Sequence, residues 1–86
     1  MDSFAVRFKA SALRELEALD NRHLRQIVPR IEALAWNPRP AGCKKLRGAS
    51  DLWRIRIGDY RVVYSVDDSR SEVEILRVRH RRDVYA

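Results

Sequence analysis

The chain is poor in the residues that build metal sites, covalent cross-links and long loops. It has one cysteine, Cys43, two histidines, three glycines and three prolines among 86 residues. A single cysteine excludes an internal disulfide and points to a reducing, cytoplasmic setting. One Cys and two His do not assemble a recognisable structural zinc site, so neither a metal nor a cofactor is expected. No apolar run approaches the roughly 18 residues that a membrane span requires, and Met1-Asp2-Ser3 lacks the basic start of a signal peptide. No membrane role is expected. The length suits one core and one domain, 1–86.

Positive charge is what the chain has in excess. Its formal net charge is +6, and arginine outnumbers lysine 15 to 3. Residues 1–43 carry 7 basic and 5 acidic side chains, whereas residues 44–86 carry 11 and 7, so the surplus lies in the second half. It is densest at Arg77, Arg79, Arg81 and Arg82. Such a balance fits a polyanionic partner, nucleic acid above all. A solvated basic surface is the plainer alternative. The planar fork of arginine, suited to phosphates, favours the first reading.

Residues 3–8 alternate as an opening strand, with Phe4, Val6 and Phe8 inward. Ser11 is the expected cap of a first helix, whose Ala12, Leu13, Leu16 and Leu19 recur at helical spacing to about Asp20. Asn21 is expected to cap a second helix with the stripe Leu24, Ile27, Val28, Ile31, Leu34 and Ala35. Pro29 is expected to kink or divide it, and Asn37-Pro38-Arg39-Pro40 to end it. His23 falls on the polar side of this stripe and reads as a solvated surface residue, and Cys43 as inert.

The second half reads as an antiparallel meander. Strands 52–57 and 60–66 flank Gly58-Asp59, a two-residue hairpin loop. That loop sets Ile57 opposite Tyr60, Arg56 opposite Arg61, Ile55 opposite Val62 and Trp53 opposite Tyr64. The aromatic and aliphatic members share the buried face; Arg54, Arg56 and Arg61 share the other, open face. Like charges directly opposite destabilise a sheet, so Arg56 against Arg61 asks for an anion between them. Residues 72–78 form a further strand, its blurred alternation suggesting an inner strand covered on both faces. The fold class is α+β: two N-terminal helices on one face of a small, mainly antiparallel twisted sheet, in the order β-α-α-β-β-β.

Lys44-Lys45-Leu46-Arg47-Gly48, Gly58-Asp59-Tyr60-Arg61-Val62-Val63-Tyr64 and His80-Arg81-Arg82-Asp83-Val84-Tyr85 together resemble the RelE family of prokaryotic toxins. The resemblance implies a ribosome-dependent endoribonuclease that cuts mRNA in the decoding site of the small subunit, blocked by a cognate antitoxin. It implies Arg61 and Arg81 as the phosphate clamp, and Tyr85 as the residue that stacks on a splayed base or assists proton transfer. Arg54 and Arg56, with Lys44, Lys45 and Arg79, are the implied RNA-binding set. Relatives carry lysines at positions 54 and 56. Arginine hardly deprotonates, which leaves His80 or Tyr85, or the ribosome, to move protons. Asp83 is expected to pair with Arg81 or Arg82. Two other classes remain: a ParE-like DNA gyrase poison, and a catalytically weak module that binds RNA or antitoxin.

Overall fold

The computed structural model describes residues 3–48 and 51–82. The alternating N-terminus forms β1 (Ala5–Phe8), with Phe4, Val6 and Phe8 packed against the core. It runs straight into α1 (Ala10–Glu17). Lys9 is shared between the two: its N–H donates to Ile75 O at 2.9 Å, while its own carbonyl accepts the Leu13 N–H at 3.0 Å. Lys9 therefore occupies the cap position and Ser11, the expected cap, lies inside the first turn. No residue is left over between strand and helix for Ser11 to play that part.

The second helix, α2 (Asn21–Ala33), is capped by Asp20 rather than Asn21. The Asp20 carboxylate accepts the His23 N–H at 3.0 Å and touches His23 Nδ1 at 2.8 Å. A carboxylate also complements the positive end of the helix dipole, which an amide does not. The His23 backbone N–H, and then its ring, hold the Asp20 carboxyl below its ordinary range. Pro29 does not divide α2. Both Pro29 and Arg25, whose carbonyl loses its ladder donor, are exposed, so water can take up the freed group.

Among the described residues, five strands form one mixed sheet in the order β1-β5-β4-β3-β2. β2 (Lys44–Lys45), β3 (Leu52–Ile57), β4 (Tyr60–Asp67) and β5 (Glu72–His80) are antiparallel to their neighbours, and β1 is parallel to β5. The two-residue β2 is an addition to the four strands read from the sequence. Too short to show a period, it is held by its pairing with Arg54 and Trp53. β5 runs two residues beyond the expected 78. Its blurred alternation comes from a bulge and not from burial on both faces: Val63 pairs with Arg77 and Tyr64 with Ile75, leaving Leu76 over.

Both helices cover one face of the sheet. Ala12 and Leu16 from α1, Ile27 and Ile31 from α2, and Leu34 just beyond it meet Ile55, Ile57, Val62, Tyr64, Val66, Val73, Ile75 and Val78 in a single core. Tyr64 is fully buried, and its hydroxyl donates to Pro38 O at 2.7 Å. Burial pushes its phenol pKa upward. Among the described residues, no helix is long and apolar enough to cross a membrane.

Candidate functional site

The hairpin forms in the expected register, including Arg56 opposite Arg61. Gly58 has φ of +59° while Asp59 stays out of the left-handed region, the sign pattern of a type II′ turn, whose twist matches that of paired strands. The bulge at Leu76 then brings β5 into phase. Arg79 pairs with Arg61, so Arg56, Arg61 and Arg79 stand in a row across three strands. A second row holds Lys44, Arg54, Val63 and Arg77. The helices lie on the opposite face.

Where the first row meets the hairpin turn there is a cleft of about 400 Å³, lined by Arg56, Gly58, Asp59, Tyr60, Arg61, Arg81 and Arg82. Arg81 is brought there by its backbone: its N–H donates to Asp59 O at 2.7 Å, continuing the β4–β5 ladder to the turn. Its Nε lies 3.9 Å from Asp59 Oδ1, in an ion pair open to solvent. Arg61 does not stand on an open surface as expected. It is only 8% exposed, while Arg56, Arg81 and Arg82 are exposed. One buried guanidinium under three exposed ones is a setting in which an incoming anion replaces water at several donors at once.

The other residues singled out by sequence separate by face. Arg54 and Lys44 stand opposite one another on the arginine face. Lys45 pairs with Trp53 and sets its Nζ 6.0 Å from the indole centroid, on the other side. His80 pairs with Tyr60, the register partner of Ile57, and so belongs to the helix-covered face. Its ring meets Tyr60 edge-on at 5.3 Å, and its Nδ1 accepts the Arg82 N–H at 3.2 Å, which leaves the proton of a neutral ring on Nε2. The cleft lining thus groups Arg56, Arg61 and Arg81 and does not include His80. His23, expected in solvent, is half-buried, with its ring centroid 4.9 Å from that of Tyr60. Tyr85 and Asp83 lie outside the described residues.

Two members of the basic set were not singled out as site residues. Arg82 lines the cleft, and Arg77 shares a row with Arg54. Alternation through Arg77, Arg79 and Arg81 was the available signal, but it needed the bulge to fix its phase. Among the described residues no group of three or more His, Cys, Asp or Glu is placed to hold a metal.

A helical pair backing a mixed sheet, with a cluster of arginines at one end of the opposite face, defines a small cationic α+β domain with an arginine-lined cleft. Residues 6–85 match the family described as the ParE toxin of the type II toxin–antitoxin system parDE. The chain is 36% identical over 83 residues to toxin RelG of Mycobacterium tuberculosis, with 95% of each covered. It is 31% identical over 86 residues to a putative RelE-like toxin protein of Escherichia coli, with 95% and 90% covered. The fold matches the archaeal RelE–RelB complex of Pyrococcus horikoshii with a TM-score of 0.81 at 31% identity, covering 92% of this chain and 96% of that one. The isolated E. coli RelE toxin also gives a TM-score of 0.81, at 28% identity with 91% and 84% covered. The chain belongs to this family of type II toxin–antitoxin toxins and is RelE-like.

Proposed function

We propose that the protein is a ribosome-dependent endoribonuclease that cleaves mRNA in the decoding site and so stops translation, and that a cognate antitoxin restrains it in the cytoplasm. The observation that carries this reading is the convergence of Arg56, Arg61 and Arg81 on one cleft. In the proposed reaction the ribose 2′-oxygen attacks phosphorus and the bond to the 5′-oxygen breaks. The products are a 2′,3′-cyclic phosphate and a 5′-hydroxyl; the 2′ proton goes to a base and another is delivered to the leaving oxygen. Arg61 and Arg81 hold the phosphate and offset the charge that builds on its oxygens. Arg54, Arg56 and Lys44 follow the RNA backbone.

Arginine is a poor proton donor and acceptor in catalysis. Proton transfer therefore falls to Tyr85 or to the ribosome, and the face occupied by His80 argues against that residue. A cleft lined by four arginines repels divalent cations, which supports a metal-independent reaction. The RelE–RelB complexes among its structural relatives support an antitoxin partner.

Primer extension on a reporter mRNA in a reconstituted translation system tests the proposal. Cuts within decoding-site codons should appear only with ribosomes present and fade in Arg61→Ala and Arg81→Ala. The match to a family named for ParE favours one second reading, a poison of DNA gyrase. Intact mRNA with gyrase-dependent DNA breaks would establish that reading instead.

A further inference from the structure

β1 covers β5 only as far as Ile75, its last partner and the acceptor of the Lys9 N–H. Beyond that point, among the described residues, the edge of β5 has no strand beside it, and its backbone donors need other partners. Glu15 of α1 fills the gap. Its Oε1 accepts the Val78 N–H at 2.9 Å, standing where a neighbouring strand would place a carbonyl. Its Oε2 lies 2.9 Å from Arg79 Nε, whose N–H points off the line, so this contact is ionic rather than a well-aligned hydrogen bond. One carboxylate thus ties the end of β5 to α1 and supplies a counter-charge to Arg79.

Its place in the arginine row gives that pairing a consequence. Arg56, Arg61 and Arg79 are three cations side by side, and Glu15 sets its carboxylate against the last. We propose that Glu15 is a positioning residue that sets the boundary of the RNA site: it keeps Arg79 out of the phosphate contact, so that the backbone is taken by Arg56, Arg61 and Arg81. Arg79 then serves as an internal ion-pair partner and not as an RNA ligand. This inference rests on the RNA reading of the same face.

Glu15→Gln tests it, because the amide oxygen still accepts the Val78 N–H while the charge on Arg79 is released. Binding of the purified protein is measured against salt on a single-stranded RNA oligonucleotide and, in parallel, on immobilised heparin as a plain polyanion. Glu15→Gln is expected to bind RNA more tightly and to steepen the slope of log affinity against log salt by about 0.7, one further phosphate contact on a single strand. It should also elute later from heparin. Arg79→Gln alone should leave the slope unchanged, and Glu15→Gln with Arg79→Gln should restore the wild-type slope.

A wild-type slope and elution in Glu15→Gln would overturn the inference, as would a slope made shallower by about 0.7 in Arg79→Gln alone. Arg79→Gln leaves the Val78 bond intact, so it decides the matter even if Glu15→Gln does not fold. A wild type that ignores RNA but is retained on heparin would condemn the RNA reading, and the heparin shifts would still judge Glu15.

Discussion

Arg39 and Asp68 are joined by two parallel hydrogen bonds, Nη1 to Oδ1 at 3.1 Å and Nη2 to Oδ2 at 2.7 Å. The same guanidinium lies 5.2 Å from the centroid of the Trp53 ring. Together with the Tyr64 hydroxyl on Pro38 O, this clamp fastens the loop after α2 to the far end of the sheet from the cleft. The loop is held at one end of the sheet, and the other end is left to the arginines.

Acid should loosen that clamp. The Arg39 guanidinium holds the Asp68 carboxyl below its ordinary value of 3.8. A carboxyl depressed on folding contributes stability that is complete above the unfolded value and lost as pH falls through the folded one. The melting temperature should be flat between about pH 5 and 7 and drop below about pH 4. Asp68→Asn should melt lower at neutral pH and show a shallower acid limb. Because the pair is open to solvent, the effect will be small.

Removing a charge from the cleft should have the opposite effect on stability. Arg56→Gln ends the repulsion across the β3–β4 ladder and should stabilise the fold by about 0.2–1 kcal/mol in urea denaturation. RNA binding by the same variant should weaken. A loss of stability in Arg56→Gln would mean that the residue serves the fold.

Tyr64→Phe should act on the fold alone. It leaves the Pro38 carbonyl without its donor and should lower the unfolding free energy by about 1–2 kcal/mol. Cleavage per folded molecule should not change, since Tyr64 faces the helices. Chemical denaturation and single-turnover cleavage measure the two effects separately.

Pro29→Ala should restore the hydrogen bond to the Arg25 carbonyl and remove the crowding of the preceding turn. On an exposed helix position this should stabilise the protein by about 1–3 kcal/mol. A neutral or negative change in the denaturation midpoint would show that Pro29 has a task in α2 beyond its backbone.

His80→Asn keeps an acceptor near the Arg82 N–H and removes the imidazole. The pH dependence of single-turnover cleavage should be unaltered. A changed profile would return His80 to the reaction.

The arginine pair was legible in the sequence because it depends on a local rule. Gly58-Asp59 fixes the register of its own hairpin, and alternation then assigns every side chain to a face. What was hidden depended on contacts made across long stretches of chain. Leu76 looks like any apolar strand residue, yet as the bulge it decides that Arg77 and Arg79 share the face of Arg61. Glu15 reads as an ordinary polar helix position, and only packing sets it against Val78. The caps slipped by one or two residues because Ser11 and Asn21 have the right chemistry at the wrong place: β1 runs into α1 without a joint, and Asp20 reaches His23 first. Lys44 and Lys45 are too few to show a period, so no sequence pattern marks them as a strand.

The parallel pairing of β1 with β5 also bears on when the protein can act. Ala5 meets Glu72, and Phe8 meets Ile75. The hairpin that carries Arg56 and Arg61 closes over neighbouring residues and needs nothing from the N-terminus. The sheet as a whole cannot close until its last strand has been synthesised, because its first strand has nowhere else to dock. A nascent chain that has not yet reached β5 lacks that strand, and with it Arg81. Chain order itself places assembly of the cleft after synthesis of β5.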